Sequence, residues 1–242
     1  MAAGSTQKPL PSVWARSRSD AEQPALNRES IVREAIAMLD ADGIEALSMR
    51  KLGARLNAGA TSLYRHVATK DELMELAVDA IVAELPIPRG DANWRGAAEE
   101  AAHAFRGWLL RHPWTMSVLG QMGLAYLGPN LMAYMAGLAE LFADAGFADP
   151  AIATDAVLAY VVGMATTETA WLATVARSGE PEADFIARLM PAAREAAAGH
   201  RVLAEAYERT RDLAADPATQ REEKFANALA VVLDGLALRL PA

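Results

Sequence analysis

Two short helices joined by a tight turn are predicted within residues 44–70, and this stretch constrains the fold more than any other part of the chain. Ser48 is a good N-cap for the first helix, because its hydroxyl can accept a hydrogen bond from a free backbone N–H of the first turn. Asn57 tolerates the left-handed conformation, so the chain is expected to turn sharply there. A second helix is predicted at about residues 59–66. Two short helices around such a turn are typical of a helix-turn-helix motif.

The charge of this stretch differs from that of the whole chain, which is acidic, with 23 Lys and Arg against 31 Asp and Glu. Residues 46–70 contain no carboxylate, although about three would be expected in a window of that length. Their five cations are Arg50, Lys51, Arg55, Arg65 and Lys70. DNA favours such a segment, since each neutralised phosphate releases counterions. A solvated basic face is the alternative on charge alone, but charge, turn and hydroxyls together favour DNA binding.

The run from Leu26 to Ile81 resembles the N-terminal domain of the TetR (tetracycline-repressor-like) family of bacterial transcriptional regulators, most specifically in SLYRHVATK at residues 62–70. The resemblance implies that the second helix of the motif lies in the major groove of a double-stranded DNA operator. Asn57 stands where the family commonly has Gly, and the turn is expected to survive because Asn is the next best residue at positive φ. The residues predicted to bind DNA are Ser48, Arg50, Thr61, Ser62, Tyr64, Arg65, His66 and Lys70.

Lys70 is expected to bind a phosphate, as the resemblance implies for its position at the start of the next helix. Thr69 and Glu72 have the T-x-x-E spacing of a capping box, which predicts that a helix begins here. This cap would hold Lys70 in the first turn, where its amine and the free N–H groups can share one phosphate.

The composition predicts an all-α protein, because Ala, Leu and charged residues dominate and no strand pattern stands out. We expect a flexible N-terminal arm at residues 1–24, a three-helix helix-turn-helix DNA-binding domain at 25–85, and a larger C-terminal helical ligand-binding and dimerisation domain at 93–242. Pro and Gly are concentrated between the two domains, at residues 85–93. Helices of the second domain are predicted at residues 94–111, 113–122, 129–145, 150–176, 182–198 and 219–240, with another at about 201–215.

The N-terminal arm carries Arg16 and Arg18. Arginines in such an arm could reach into a minor groove. A disordered arm without a role in binding is the alternative.

The resemblance also implies that the C-terminal domain forms a homodimer through two late helices and encloses a pocket for an inducer. Helices 150–176 and 219–240 match those late helices. The last helix carries a wide apolar stripe, which invites a partner. This stripe consists of Phe225, Ala226, Leu229, Val232, Leu233, Leu236 and Leu240. One short reading helix contacts few bases, so specificity also favours two copies about 34 Å apart on a palindrome.

Met and large aromatic side chains between residues 105 and 142 can line a cavity for an apolar small-molecule effector, or they can simply fill a core. In helix 150–176, a buried Glu168 would need partners, and a ligand could be one; exposure of Glu168 to water is the alternative. The residues predicted to bind the ligand are Phe105, Trp108, Met122, Met135, Met164, Thr167, Glu168 and Trp171. If side chains fill the space between Trp108, Met135 and Met164, a dimeric DNA-binding regulator without small-molecule control is favoured instead.

A metal-chelated ligand is not expected. In the tetracycline-binding branch of the family a histidine holds the magnesium of the bound drug, and our match places Val118 or Leu119 at that position, neither of which can bind a metal. His103 and His112 are close in sequence but not aligned with it. We therefore predict an apolar effector, no metal site and no cofactor.

Several other classes are disfavoured. The chain has no Cys, which excludes disulfides and thiolate metal sites. No apolar run of roughly 18 residues and no signal peptide is evident, so a cytoplasmic protein without membrane contact is expected. Glu100 and His103 have the E-x-x-H spacing of half a di-iron site, but the other half and other catalytic motifs are missing. An enzyme is therefore not expected.

Overall fold

The computed structural model describes residues 26–90, 93–209 and 216–240, which are organised as helices, and no strand is present in these three segments. The expected all-α class is confirmed. The predicted N-terminal arm, with Arg16 and Arg18, lies outside the described residues.

The first four helices form a small unit that we call the head. They are α1 (Arg28–Asp42), α2 (Met49–Arg55), α3 (Ala60–Leu63) and α4 (Lys70–Val82), with a 3-10 turn at Ile44–Ala46 after α1. The start of α1 is fixed by a capping box, in which the Asn27 side chain accepts from the Ser30 backbone N–H at 2.7 Å and the Ser30 hydroxyl faces the Asn27 N–H at 3.1 Å. At the other end, Gly43 adopts φ 77°, which favours glycine, and its N–H bonds to the Leu39 carbonyl.

The second helix of the motif is shorter than the predicted 59–66, since α3 ends at Leu63. After Leu63 the chain continues as a turn, and Leu63 and Val67, one at each end of it, are both fully buried. The backbone N–H of His66 accordingly bonds to the Leu63 carbonyl at 2.9 Å, the i to i−3 pattern of a 3-10 turn. Tyr64, Arg65 and His66 therefore lie on a turn rather than on a helix.

The remaining helices form the C-terminal unit. They are α5 (Trp94–Arg111), α6 (Pro129–Asp144), α7 (Pro150–Ser178), α8 (Glu182–Ala197), α9 (Arg201–Arg209) and α10 (Pro217–Ala237). The predicted helix 113–122 is instead two 3-10 segments, Pro113–Ser117 and Leu119–Gln121. A buried Thr115 hydroxyl donates to the His112 carbonyl at 2.6 Å and holds this tight winding. The end of the predicted helix 201–215 lies outside the described residues.

One continuous hydrophobic core joins the head to the C-terminal unit. Trp108 of α5 is fully buried, and its indole Nε1 donates to the backbone carbonyl of Ile81 near the end of α4 at 2.8 Å. Burying such a large side chain together with its one polar group ties α5 to α4. Motion of α4 relative to the C-terminal unit must therefore disturb this contact.

Helix α7 is the central element of the C-terminal unit, because it packs against α5, α6 and α10. By length and composition alone it could cross a membrane, contrary to the expectation that no such stretch exists. The core helix of a helical bundle passes the same test. Glu168 of α7 is held in largely buried ion pairs, and 28% of the most apolar window of the helix is buried within the protomer.

Candidate DNA-binding surface and ligand pocket

The turn between α2 and α3 is built by two residues. Asn57 adopts φ 51°, so the left-handed conformation expected from the sequence is confirmed. Gly53, inside α2, allows the backbones to approach: a Cβ there would lie 2.6 Å from the Ala58 carbonyl oxygen, and the Ala58 N–H bonds to the Gly53 carbonyl at 2.8 Å. The role of Gly53 was not predicted from the sequence, although a glycine inside a helical pattern often has a packing reason.

The predicted DNA-binding residues differ in exposure. Arg50, Thr61, Tyr64, Arg65 and Lys70 are exposed, and 49% of the Tyr64 surface is accessible. Within the described part of the chain no ion pair involves the cations among them. They are therefore free to meet phosphates or bases.

Ser48, Ser62 and His66 are half-buried. Ser48 is the N-cap of α2, and its Oγ accepts from the Lys51 N–H at 3.2 Å, as the sequence predicted. Its hydroxyl therefore already has a structural partner. The neighbouring cation Arg55 is paired with Glu34 of α1, so it supports the head instead of remaining free.

Lys70 is the first residue of α4 and is exposed. Thr69 caps the helix, since its hydroxyl accepts from the Glu72 N–H at 3.0 Å. In a capping box the Glu72 side chain would accept from the N–H of the N-cap residue Thr69. Here it accepts instead from the Ala68 N–H, one residue earlier, at 2.6 Å. Thr69 thus holds Lys70 in the first turn of α4, as the sequence predicted, where Asp71 and Glu72 follow it.

Arg28 is a contributor that sequence reasoning did not identify. Its Nε donates to the His66 carbonyl at 3.2 Å, and its guanidinium lies 3.5 Å from Glu72. A residue of α1 therefore supports the turn that carries Tyr64 and Arg65. No local signal could have found it, because the contact spans 38 residues of sequence.

The C-terminal unit contains a pocket of about 350 Å³ between α7, α8 and α10, which we call the α7–α8–α10 pocket. This volume lies at the lower end of the range for small-molecule sites. Four predicted ligand residues, Met164, Thr167, Glu168 and Trp171, are among those that line it. The contributions of α8 and α10 to the pocket lining were not predicted from the sequence. These two helices supply Ile186, Leu189, Met190, Gln220, Arg221 and Lys224.

The other four predicted ligand residues do not line this pocket. Phe105 and Trp108 are buried and stack on each other with ring centroids 5.5 Å apart. Met122 is half-buried and Met135 is exposed. The cavity expected between Trp108, Met135 and Met164 does not coincide with the α7–α8–α10 pocket, because Met164 alone of these three residues lines it. A cleft beside Phe105 has a volume of about 10 Å³, too small for a ligand.

A group of charged side chains that we call the ion-pair cluster adjoins the pocket. It consists of Arg106, Glu168, Glu182, Arg221 and Glu222. Arg106 is held by Glu168 through two bonds, Nε to Oε2 at 2.8 Å and Nη2 to Oε1 at 3.0 Å, and also contacts Glu222. Arg221 bridges Glu168, at 3.0 Å, and Glu182.

The ion-pair cluster corrects the alternative that Glu168 faces water, since only 11% of its side chain is exposed. Burial lowers the pKa of Arg106, but its hydrogen bonds to Glu168 and Glu222 outweigh burial and leave that pKa raised. Burial raises the pKa of Glu222, yet Arg106 and His103 outweigh it, so the pKa of this carboxyl is lowered. Arg106 and Glu222 are therefore charged at neutral pH.

His103 is paired with Glu222 of α10. Its Nδ1 lies 2.8 Å from Glu222 Oε1 and its ring meets Phe225 edge-on. Among the residues that the structure describes, no group of three or more His, Asp or Glu side chains could hold a metal ion.

A second polar group lies where the head meets the C-terminal unit. His112, buried at the end of α5, contacts Asp40 of α1 through Nδ1 at 2.8 Å and Glu84 through Nε2 at 3.3 Å. The indole Nε1 of Trp114 donates to the same Asp40 oxygen at 2.8 Å. We call these four residues the interdomain joint; sequence reasoning did not find it, because its members are distant in the chain.

Comparison with known proteins shows which family the chain belongs to. Residues 85–240 match the tetracyclin repressor-like C-terminal domain, and residues 31–77 match the bacterial regulatory proteins of the tetR family. The chain belongs to the TetR family. It is a helix-turn-helix transcriptional regulator, as the resemblance of residues 26–81 implied.

Individual TetR-family relatives support this assignment. An HTH-type transcriptional regulator of Saccharopolyspora erythraea is 40% identical over 66% of this chain and 68% of its own length. The HTH-type transcriptional repressor DrrR1 of Streptomyces coeruleorubidus is 31% identical over 96% of this chain and 86% of its own. The crystal structure of the Streptomyces coelicolor TetR-family protein ActR in complex with actinorhodin superposes with a TM-score of 0.69, at 27% identity, covering 88% of this chain and 96% of ActR.

Proposed function

We propose that this protein is a dimeric repressor that binds a palindromic DNA operator and is released from it by a small apolar molecule. The head, residues 25–85, would read the DNA, and residues 93–242 would bind the ligand and the second protomer. The observation that carries the proposal is the pairing of an exposed, unpaired basic surface on the head with a pocket in the C-terminal unit. We propose no role in catalysis. We place the protein in the cytoplasm, the compartment in which its DNA would lie.

The head supports base reading through α3 and the turn that follows it. Leu63 is the single buried residue of α3, so most of this short helix is available to enter a major groove. Thr61, Ser62, Tyr64, Arg65 and His66 are the candidate contacts to bases and phosphates. Arg50, Lys70 and the capping residue Ser48 flank them and would fix the register through the backbone.

Dimerisation through α7 and α10 is supported by the faces that these helices leave open. Val231 and Leu238 of α10 are 70% and 86% exposed, and Ile152 of α7 is 64% exposed. Ala159 and Gly163 are small exposed residues on α7 that let a second helix approach closely.

The predicted apolar stripe of α10 is not itself that dimer face. Phe225, Leu229, Leu233 and Leu236 are buried within the protomer. The stripe was read correctly as apolar, but the packing of α10 against α7 of the same chain already covers it.

The α7–α8–α10 pocket is our candidate effector site, lined by Met164, Thr167, Glu168 and Trp171. The ActR structure contains actinorhodin, which supports ligand control, and DrrR1 supports a role as a repressor. The filled core around Phe105 and Trp108 favours the alternative of a regulator without a ligand, and binding measurements decide between the two.

Release would occur by a population shift between arrangements of the two heads. A ligand touching Glu168 and Arg221 contacts the ion-pair cluster, whose Arg106 lies on α5. The same helix ends at His112 in the interdomain joint with Asp40. A preference of about 1 to 3 kcal/mol for the non-binding arrangement would weaken operator binding roughly 5 to 150-fold.

The first test is binding of the purified protein to the DNA upstream of its own gene at two salt concentrations. We expect tight, salt-sensitive binding that competitor DNA does not remove, because counterion release accompanies each phosphate contact. The double variant Tyr64→Ala, Lys70→Ala should lose it. Arg201→Ala, which removes a 78% exposed cation from the C-terminal unit, is the control and should bind normally.

Two results would count against the proposal, one from this DNA-binding test and one from the same test repeated with compounds that bind the protein. Equal binding of the wild type and the double variant would show that the basic surface of the head does not read DNA. Unchanged operator affinity in the presence of every compound that binds the protein would leave a regulator without ligand control.

A further inference from the structure

The α7–α8–α10 pocket combines a flat apolar wall with a cationic edge. The wall contains Trp171 together with the flexible side chains of Met164 and Met190. Trp171 is held in place, since its Nε1 donates to Glu182 at 2.6 Å and its ring meets Phe185 edge-on at 5.4 Å. An indole of fixed position with thioethers beside it suits a planar aromatic ring system.

The carboxylates of the pocket are already satisfied. Glu168 accepts from Arg106 and Arg221, while Glu182 accepts from Arg221 and Trp171. A cationic ligand would have to displace these arginines from largely buried carboxylates, at a substantial cost in free energy. The pocket therefore disfavours a positively charged ligand.

The cationic edge is formed by α10. Lys224 is exposed, lines the pocket and forms no ion pair within the described ranges of the chain. Gln220 and Arg221 stand one helical turn before it, so the three side chains share a face. An acidic group at this edge would meet an unpaired ammonium and an amide donor.

We propose that the α7–α8–α10 pocket binds a planar aromatic acid, with its rings against Trp171 and its anionic group at Lys224. This inference rests on the proposed role of the pocket as the effector site, and it refines the apolar effector to a largely apolar molecule that carries one anionic group. The volume of about 350 Å³ admits two or three fused or linked rings. The apolar rings supply most of the affinity, and Lys224 selects the acid over its neutral counterpart.

The test compares two probes that differ by one anionic group. 8-Anilinonaphthalene-1-sulfonate carries a sulfonate, and N-phenyl-1-naphthylamine has the same aromatic framework without it. Each is titrated into the full-length protein without DNA, and binding is followed by probe fluorescence and by energy transfer from tryptophan. The proposal expects saturable binding, tighter for the sulfonate.

Four variants assign the site. Lys224→Gln should weaken the sulfonate about fivefold and the neutral probe less than twofold, as expected for one partly exposed charge. Lys224→Arg should keep the preference, and Lys51→Gln, which removes an exposed lysine from the head, should change neither probe. Met190→Trp should fill the pocket and weaken both.

Three results would overturn the proposal. They are equal affinities of the wild type for the two probes, a loss on Lys224→Gln that is the same for both, and undiminished binding to Met190→Trp. Operator binding is measured separately. Absence of probe selectivity in a protein that binds its operator would refute only the ligand class, whereas selective probe binding without operator binding would refute the proposed function.

Discussion

The head and the C-terminal unit use their cations in opposite ways. In the head, Arg50, Arg65 and Lys70 are exposed and unpaired within the described residues. In the C-terminal unit, Arg106 and Arg221 are largely buried and shared among three carboxylates. Exposed cations cost little to keep and are available for DNA, whereas buried cations are stable only with their partners. Arg50, Arg65 and Lys70 are therefore available for recognition, whereas Arg106 and Arg221 belong to the internal structure.

The largest effect is expected from breaking the ion-pair cluster. Arg106→Leu leaves Glu222 without its arginine and Glu168 dependent on Arg221 alone, with 11% of the Glu168 side chain exposed. We expect a loss of about 3 kcal/mol in the free energy of unfolding, measured by urea denaturation. The exposed pair Arg201 and Glu205 provides the control, since Arg201→Leu should cost less than about 0.5 kcal/mol. Equal losses would show that the cluster is no more important than a surface pair.

The corresponding test in the head concerns the turn between α2 and α3. Gly53→Ala places a Cβ 2.6 Å from the Ala58 carbonyl, so α2 and α3 must separate, at about 1 to 3 kcal/mol. We expect operator affinity to fall at least about tenfold, while probe binding in the C-terminal pocket is unchanged. Gly59→Ala is the control, because nothing lies within 4 Å of its added Cβ. Normal operator binding by Gly53→Ala would refute the importance of the close approach.

A third test addresses the connection between the two regions. His112→Ala removes the contacts of the interdomain joint to Asp40 and Glu84, worth about 1 to 2 kcal/mol together. We expect the head to unfold before the C-terminal unit in this variant. Thermal unfolding followed by circular dichroism and by tryptophan fluorescence should give midpoints that differ more than in the wild type. Coincident transitions would show that the buried Trp108 contact suffices to couple the regions.

The smallest expected effect is a dependence on pH. The pKa of Glu222 lies below its ordinary value of 4.5, mainly because of Arg106, so its contribution to stability is complete above that pH and is lost as pH falls through the lowered pKa. Since 51% of this side chain is exposed, the contribution after solvent screening is below about 1 kcal/mol. The stability difference between wild type and Glu222→Gln should shrink on acidification below pH 4.5. Glu223→Gln, outside the ion-pair cluster, is the control. A difference that grows with acidification would contradict the assignment.

The sequence predicted the head better than the C-terminal unit. Ser48, Asn57 and Thr69 act locally, through hydrogen bonds or conformational preferences that span a few residues, and each was found where expected. Only part of the pocket lining was predicted from the sequence. Met164 and Trp171 share α7 and could be recognised as a set, but the opposite walls come from α8 and α10, at positions set by the packing of helices far apart in the chain.

The amino-acid sequence by itself determined the helical class, the turn at Asn57, the basic bias of residues 46–70 and the family, because these depend on local preferences and on short motifs. Only the tertiary structure decided which apolar residues are core and which line a pocket. Phe105 and Trp171 are equally aromatic in sequence, yet one is enclosed by α5 and α6 side chains while the other faces a cavity. The physical reason is that burial depends on contacts between distant segments, which no local pattern encodes.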